Sequence, residues 1–176
     1  MDRLREHLEN HLGQALIHRV PSQSWVVMEF VDEPMEGCST YVTNGLRELV
    51  VRGRKEKQIR QEYVLSVMPD QLPAHDAVVL LAEIARHAQE GSALLRGSVH
   101  AVSNSCLAAF RSHDLYVSAP AYFDDELLSV PSEPGLVLAW LVPLMGAEVA
   151  FLANRGPGEF ESALEAGLVA AGLDVS

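Results

Sequence analysis

Basic residues are scarce in this chain: 13 Lys and Arg face 24 Asp and Glu, a net charge of −11 over 176 residues. Such a field repels nucleic-acid phosphates and anionic lipid, so neither is expected as a partner, and a charged partner would be basic. The same charge also serves plain solubility. Cysteine is scarcer still. Cys38 and Cys106 are the two present, too few for the disulfide framework of a small secreted domain, so free buried thiols are expected. Long apolar runs are missing as well. Residues 78–82 and 136–144 fall far short of the about 20 needed to cross a bilayer. The opening Met1-Asp-Arg-Leu-Arg-Glu is charged and amphipathic, with no apolar signal-peptide core, so a cytoplasmic location is expected. No repeat, low-complexity tract or linker interrupts the chain. With 48% hydrophobic and 21% charged residues, one globular domain over residues 1–176 is expected.

Catalytic signatures are also absent. His7 and His11 stand four apart, as two metal ligands on a helix would, but the segment is His-Leu-Glu-Asn-His and lacks the His-Glu-x-x-His order. His18 could join them, yet no carboxylate or Cys at ligand spacing does, and a solvated helix face explains the pair. Cys106, His113 and Asp114 are the residue types of a thiol triad. Adjacent His and Asp in one turn rarely both reach a nucleophile, so a buried thiol beside a polar turn is the better reading. Gly37-Cys-Ser39 carries no oxyanion-hole signature, and Gly-x-Ser-x-Gly does not occur. Gly156-Pro-Gly158 lacks the length and Lys-Ser/Thr of a phosphate loop and punctuates helices instead. Arg52-Gly-Arg-Lys-Glu-Lys57 has no interleaved aromatics and reads as a solvated loop. No catalytic residue, metal or cofactor is therefore expected.

What is present is a pattern of alternating elements. Leu4, Leu8, Leu12 and Ala15 form the apolar stripe of an N-terminal helix; Gly13 weakens its last turn and Pro21 stops any continuation. Residues 25–31, β-branched and aromatic, read as a strand. Residues 40–43 and 46–51 flank Asn44-Gly45, the strongest short hairpin signal, which predicts two strands joined there. Residues 59–68 alternate, with Tyr63, Leu65 and Val67 on one face and Glu62 and Val64 on the other. A helix is predicted from Asp76, as its cap, to Gln89, with Gly91 past its end. Between 91 and 135 the signals are weak: 99–102, 108–110 and 115–118 read as short strands. Asp124, Asp125 and Glu126 lie between Pro120 and Pro131 in an expected loop. Residues 136–142 suit a strand covered on both faces. Gly146 opens a helix through Asn154, and 159–171 form another with Phe160, Ala163, Leu164 and Leu168 inward. The sum is an α+β fold with a mainly antiparallel sheet and N-terminal, middle and C-terminal helices packed on it.

Two distant segments carry more specific information. Ser39-Thr-Tyr-Val-Thr-Asn-Gly-Leu46 is followed by Arg60-Gln-Glu-Tyr-Val-Leu-Ser-Val67. Near the end comes Trp140-Leu-Val-Pro-Leu-Met-Gly-Ala-Glu-Val-Ala-Phe151. In this order they resemble the suppressor-of-fused domain family, with residues 91–135 matching least. The resemblance implies a protein-binding role rather than catalysis. In animals the member restrains Gli transcription factors through a peptide held between two domains. This chain matches only the first, so that role is not carried over. Stand-alone bacterial members are associated with immunity proteins that neutralise toxins, which implies a basic toxin domain as partner and a monomer or weak homodimer. Alternatives are an intracellular regulatory or scaffold protein, and a cryptic enzyme using His113, Asp114 and Glu148.

Thr43, Gly45, Glu62, Pro143 and Glu148 lie inside the family-like motifs. Structural roles account for the two acids. Glu148 sits in a helix's first turn, where free amides favour negative charge, and Glu62 can pair across the sheet with Arg47 or Arg52. Asp124, Asp125 and Glu126 are the candidates for contacting a basic partner, as three successive exposed carboxylates.

Overall fold

Strand β5 (Gln58–Val67) and strand β8 (Leu136–Pro143) run side by side and parallel, with Arg60 beside Leu136 and Leu65 beside Leu141. They are the axis of a computed structural model that describes residues 2–102, 105–110, 112–131, 133 and 135–166. Beyond β5 lie β3 (Ser39–Asn44), β2 (Val26–Val31) and β1 (Leu16–Arg19), each antiparallel to its neighbour. Beyond β8 lie β7 (Asp114–Ser118) and β6 (Val99–Ala101), again antiparallel. Short β4 (Val51–Arg52) pairs with the start of β5. The result is an eight-stranded, mostly antiparallel sheet in an α+β fold.

Both faces of this sheet are covered, which explains the unbroken apolar run in β8. Leu136, Leu138, Trp140 and Val142 point to one side; Ala139 and Leu141 point to the other. On the first face pack α1 (Arg3–Leu12), α4 (Asp125–Leu128), α5 (Gly146–Arg155) and α6 (Pro157–Glu165). The opposite face holds α2 (Ala74–Ile84) and α3 (Arg86–Gln89). Leu4 and Leu8 from α1 and Phe160 from α6 are fully buried. Each such side chain contributes about 1.5–3 kcal/mol of transfer free energy.

Several local expectations are corrected. Ala15 is buried but lies outside α1, which ends at Leu12 with Gly13 at φ +85°, and residues 16–19 form edge strand β1. Pairing with β2 outweighs a helical period that has lost its glycine-broken last turn. Residues 46–51 are not a strand: Leu46–Glu48 form a 3₁₀ turn, and only Val51 and Arg52 pair with β5. The Asn44-Gly45 pair therefore joins no two-residue hairpin; the Gly45, Leu46 and Arg47 amides serve Glu62 instead. Helix α2 starts at Ala74 behind Pro73, so Asp76 lies within the first turn rather than capping it. Residues 108–110 belong to the 3₁₀ segment Ser105–Phe110, whose Leu107 and Phe110 fill the core under α2. Asp125 and Glu126 belong to the short helix α4, with Asp124 at its cap position, not to a loop. The last helix begins at Pro157; the part expected beyond residue 166, including Leu168, lies outside the described residues.

Candidate functional site

The family-like residues Thr43, Gly45 and Glu62 converge on one buried carboxylate. Alternation along β5 turns Glu62 away from the Tyr63 face, and it is fully buried. Its Oε2 accepts from the Thr43 hydroxyl at 2.7 Å and the Leu46 amide at 3.3 Å. Oε1 accepts from the Gly45 amide at 2.8 Å, the Arg47 amide at 3.1 Å and the Arg47 guanidinium at 3.2 Å. The turn after β3 thus wraps three successive N–H groups around the acid, and a helical turn there supplies the curvature. Gly45 is required: its φ is +121°, and a Cβ would lie 2.8 Å from that of Trp25. Burial raises the Glu62 pKa above its ordinary value, against the pull of the Thr43 hydroxyl, the Gly45 and Arg47 amides and the Arg47 charge. Five donors among the described residues turn to its two oxygens, and on that geometry we read it as ionised at neutral pH.

Arg47 extends this node across the molecule. Of the two arginines considered from sequence, it is the one whose guanidinium meets Glu62. It also reaches Asp2 at 3.0 Å and Glu133 at 3.3 Å, and it donates to Asn44. Glu133 in turn accepts from Arg60 at 3.2 Å. Asp2 caps α1 through the Leu4 and Arg5 amides, so the network locks the N-terminal helix to the sheet. Asp2 and Glu133 escaped the sequence reading because no local period links them to Glu62. Burial opposes ionisation of Asp2, but bonds from Asn44, the Arg5 amide and the Arg47 charge outweigh it and hold its pKa below the usual value.

The other motif pair, Pro143 and Glu148, lies at a second place, by the carboxyl ends of β5 and β8. A cavity of about 190 Å³ opens there, lined mainly by apolar side chains and by Cys38, Trp140 and Glu148. Pro143 closes β8 where its missing N–H costs no ladder bond. Glu148, buried at 6% exposure, accepts from the Met145 amide at 2.5 Å and so closes the amide end of α5. Burial raises its pKa, and also that of the Cys38 thiol. Tyr122 lies beside the indole, and its hydroxyl donates to the Leu164 carbonyl at 3.1 Å. Its ring meets Trp140 edge to face at 5.3 Å, and burial together with the Glu148 charge raises its phenol. The Trp140 Nε1–H is buried with no acceptor among the described residues, a state that costs about 1–3 kcal/mol. Nothing in the sequence pattern marked Cys38, Trp140 and Tyr122 as neighbours of Glu148.

Other sequence candidates fall elsewhere. Asp124, Asp125 and Glu126 are exposed at the amide end of α4, where the helix dipole offsets their mutual repulsion. His7 Nε2–H donates to the Leu127 carbonyl at 3.0 Å, and its ring lies 4.7 Å from the His11 ring. His18 meets Glu29 at 2.6 Å on a different strand pair. Among the described residues no group of three or more His, Cys, Asp or Glu is placed to hold a metal. Asp114 bonds with Ser112 at the start of β7, and the cavity lining includes neither Asp114 nor His113 with Glu148. The side chain of Cys106 lies outside the described residues. No described helix is long and apolar enough to cross a membrane.

Comparison with known proteins agrees with this fold. The family model for suppressor of fused protein matches residues 21–175. A crystal structure of a putative suppressor of fused homolog from Neisseria gonorrhoeae superposes with a TM-score of 0.69 at 16% identity, covering 99% of this chain and 92% of that one. At that identity the likeness is one of fold. No curated protein sequence matches the chain.

Proposed function

Because the chain belongs to the suppressor of fused family, we propose that it is a protein-binding module, and more specifically an immunity protein that occludes a basic toxin. Family membership carries the first part. The second is supported by the charge of −11 and by the association of stand-alone bacterial members of the family with toxin neutralisation. A nuclease toxin must hold phosphates with Lys and Arg, and an acidic protein covers such a surface by presenting a similar field. Encounter is then steered by charge, while affinity comes from apolar anchors.

The exposed carboxylates Asp124, Asp125 and Glu126 contribute to that steering. Replacing them by Asn, Asn and Gln leaves the core intact, so the fold persists. With a toxin domain encoded beside this gene, the expected result is inhibition at stoichiometric protein and a tight complex. The triple variant then associates more slowly and with a weaker salt dependence. An unaltered association rate and salt slope rejects this surface. Failure to bind or inhibit that toxin rejects the immunity reading and leaves a scaffold role for the family fold.

A further inference from the structure

We propose that the cleft between the β4–β5 turn and the start of α6 binds a small molecule carrying one phosphate monoester. This goes beyond the protein-binding reading and uses none of the carboxylates named there. Charge is the first argument. Lys55 and Lys57, the two lysines of the chain, share one turn with Arg54. Among the described residues these three side chains have no carboxylate partner, although acids far outnumber bases in the chain. Arg5, Arg47, Arg86, Arg96 and Arg155, by contrast, each meet one. Arg54 and Lys57, with Arg96, line a cleft of about 560 Å³. Small-molecule sites span about 300–1,000 Å³. The turn that reads from sequence as merely solvated therefore turns two of its charges to a ligand-sized space.

Valence is the second argument. The one acid in the lining, Glu161, is held by the Arg96 guanidinium at 2.8 and 2.9 Å and also accepts from the Tyr116 and Ser118 hydroxyls. Its charge is spent on Arg96, which leaves the Arg54 and Lys57 charges unneutralised. A phosphate monoester carries about −1.5 to −2 at pH 7 and matches both, where a carboxylate matches one. The rest of the lining suits the rest of such a molecule. Ile59 and Leu95 offer an apolar wall. Gly158 lines the cleft too, and a Cβ there would meet nothing within 4 Å, so packing does not demand a glycine. Bare backbone at that wall lets a ligand approach closely. A nucleic acid is disfavoured, because a net charge of −11 repels a long polyanion.

The test titrates ¹⁵N-labelled full-length protein with phenyl phosphate and follows the amide signals of Gly53, Gly97 and Gly158, which all line the cleft. Saturable shifts with a Kd of about 1 mM or tighter are expected. Phenyl sulfate has the same shape and less charge, and should bind about fivefold more weakly, the worth of one exposed charge pair. Arg54→Gln and Lys57→Gln, both at exposed positions, should each weaken phenyl phosphate by a similar factor. Lys55→Gln removes the same charge from the same turn, but Lys55 does not line the cleft, so binding should stay within about twofold. Absence of saturable shifts overturns the proposal, as does equal binding of phenyl sulfate. An equal loss from Lys55→Gln also overturns it, since the turn would then hold only a diffuse ion atmosphere. Inorganic phosphate binding as tightly as phenyl phosphate would mean an adventitious ion only, and tighter binding of a single-stranded oligonucleotide would assign the turn to nucleic acid; either result overturns the small-molecule site. None of these titrations uses the partner protein, so their failure leaves the protein-binding reading standing.

Discussion

Substituting Glu62 by Gln is the sharpest test of the buried node. The change preserves volume, so no cavity forms and the effect isolates charge and acceptor number. A carboxamide offers one oxygen where the carboxylate offers two. If that oxygen faces the Gly45 amide, the Arg47 amide and the guanidinium, the new NH₂ confronts the Leu46 amide and the Thr43 hydroxyl. The Thr43 oxygen cannot simply turn away, because it also accepts from the Tyr63 amide at 2.8 Å. Removing one member of a buried ion pair costs about 3–5 kcal/mol. Arg47 keeps Asp2 and Glu133, which places the loss near the lower end, about 3 kcal/mol. That is a large share of the roughly 5–15 kcal/mol holding a typical domain. For a chain of this size, about 3 kcal/mol corresponds to a fall in Tm of about 6–12 °C. Thermal and urea unfolding followed by tryptophan emission reads it directly, since Trp25 packs against Gly45. A loss below about 1 kcal/mol, or a Tm within about 3 °C of wild type, would refute the claim that an ionised Glu62 holds the turn.

Three further outcomes follow from the same geometry. Gly45→Ala forces a Cβ to within 2.8 Å of the Trp25 Cβ at φ +121°, and should cost about 2–4 kcal/mol in urea unfolding; a near-neutral result would show that the turn can relax. Asp2 has a folded pKa below its usual 3.8, so its stabilisation is present above that value and disappears as pH falls through the lower folded value. Asp2→Asn should therefore lose less stability than wild type between pH 7 and pH 3, and equal losses in urea midpoint would contradict this. His100 has a folded pKa below 6.5, through burial and then the nearby His87, so the unfolded chain binds the proton first. Stability should fall as pH drops from above 6.5 through the lower folded value, and His100→Gln should flatten that limb of the unfolding midpoints; an unchanged limb would assign it to another group.

Periodicity alone determined much of the architecture. The alternation in 59–68, the stripe of Leu4, Leu8 and Leu12, and the two-sided apolar run of 136–142 each place an element and its buried face, because burial of that face is what local period encodes. The motif around Ser39–Leu46 and Arg60–Val67 likewise pointed to the family, and Arg47 was already one of two partners proposed for Glu62. Tertiary structure decided the rest. Asn44-Gly45 reads as a hairpin locally, but a buried carboxylate seventeen residues beyond Gly45 recruits the Gly45, Leu46 and Arg47 amides into a turn. Asp2 and Glu133 join that node from opposite sides of it in sequence, and no spacing rule connects residues so far apart. The same is true of the cavity, where Cys38, Trp140 and Glu148 meet only because β5 and β8 lie parallel and side by side. Local sequence encodes which face of an element is buried; which polar groups meet once those faces are packed is set by strand order and register, and those are properties of the whole chain.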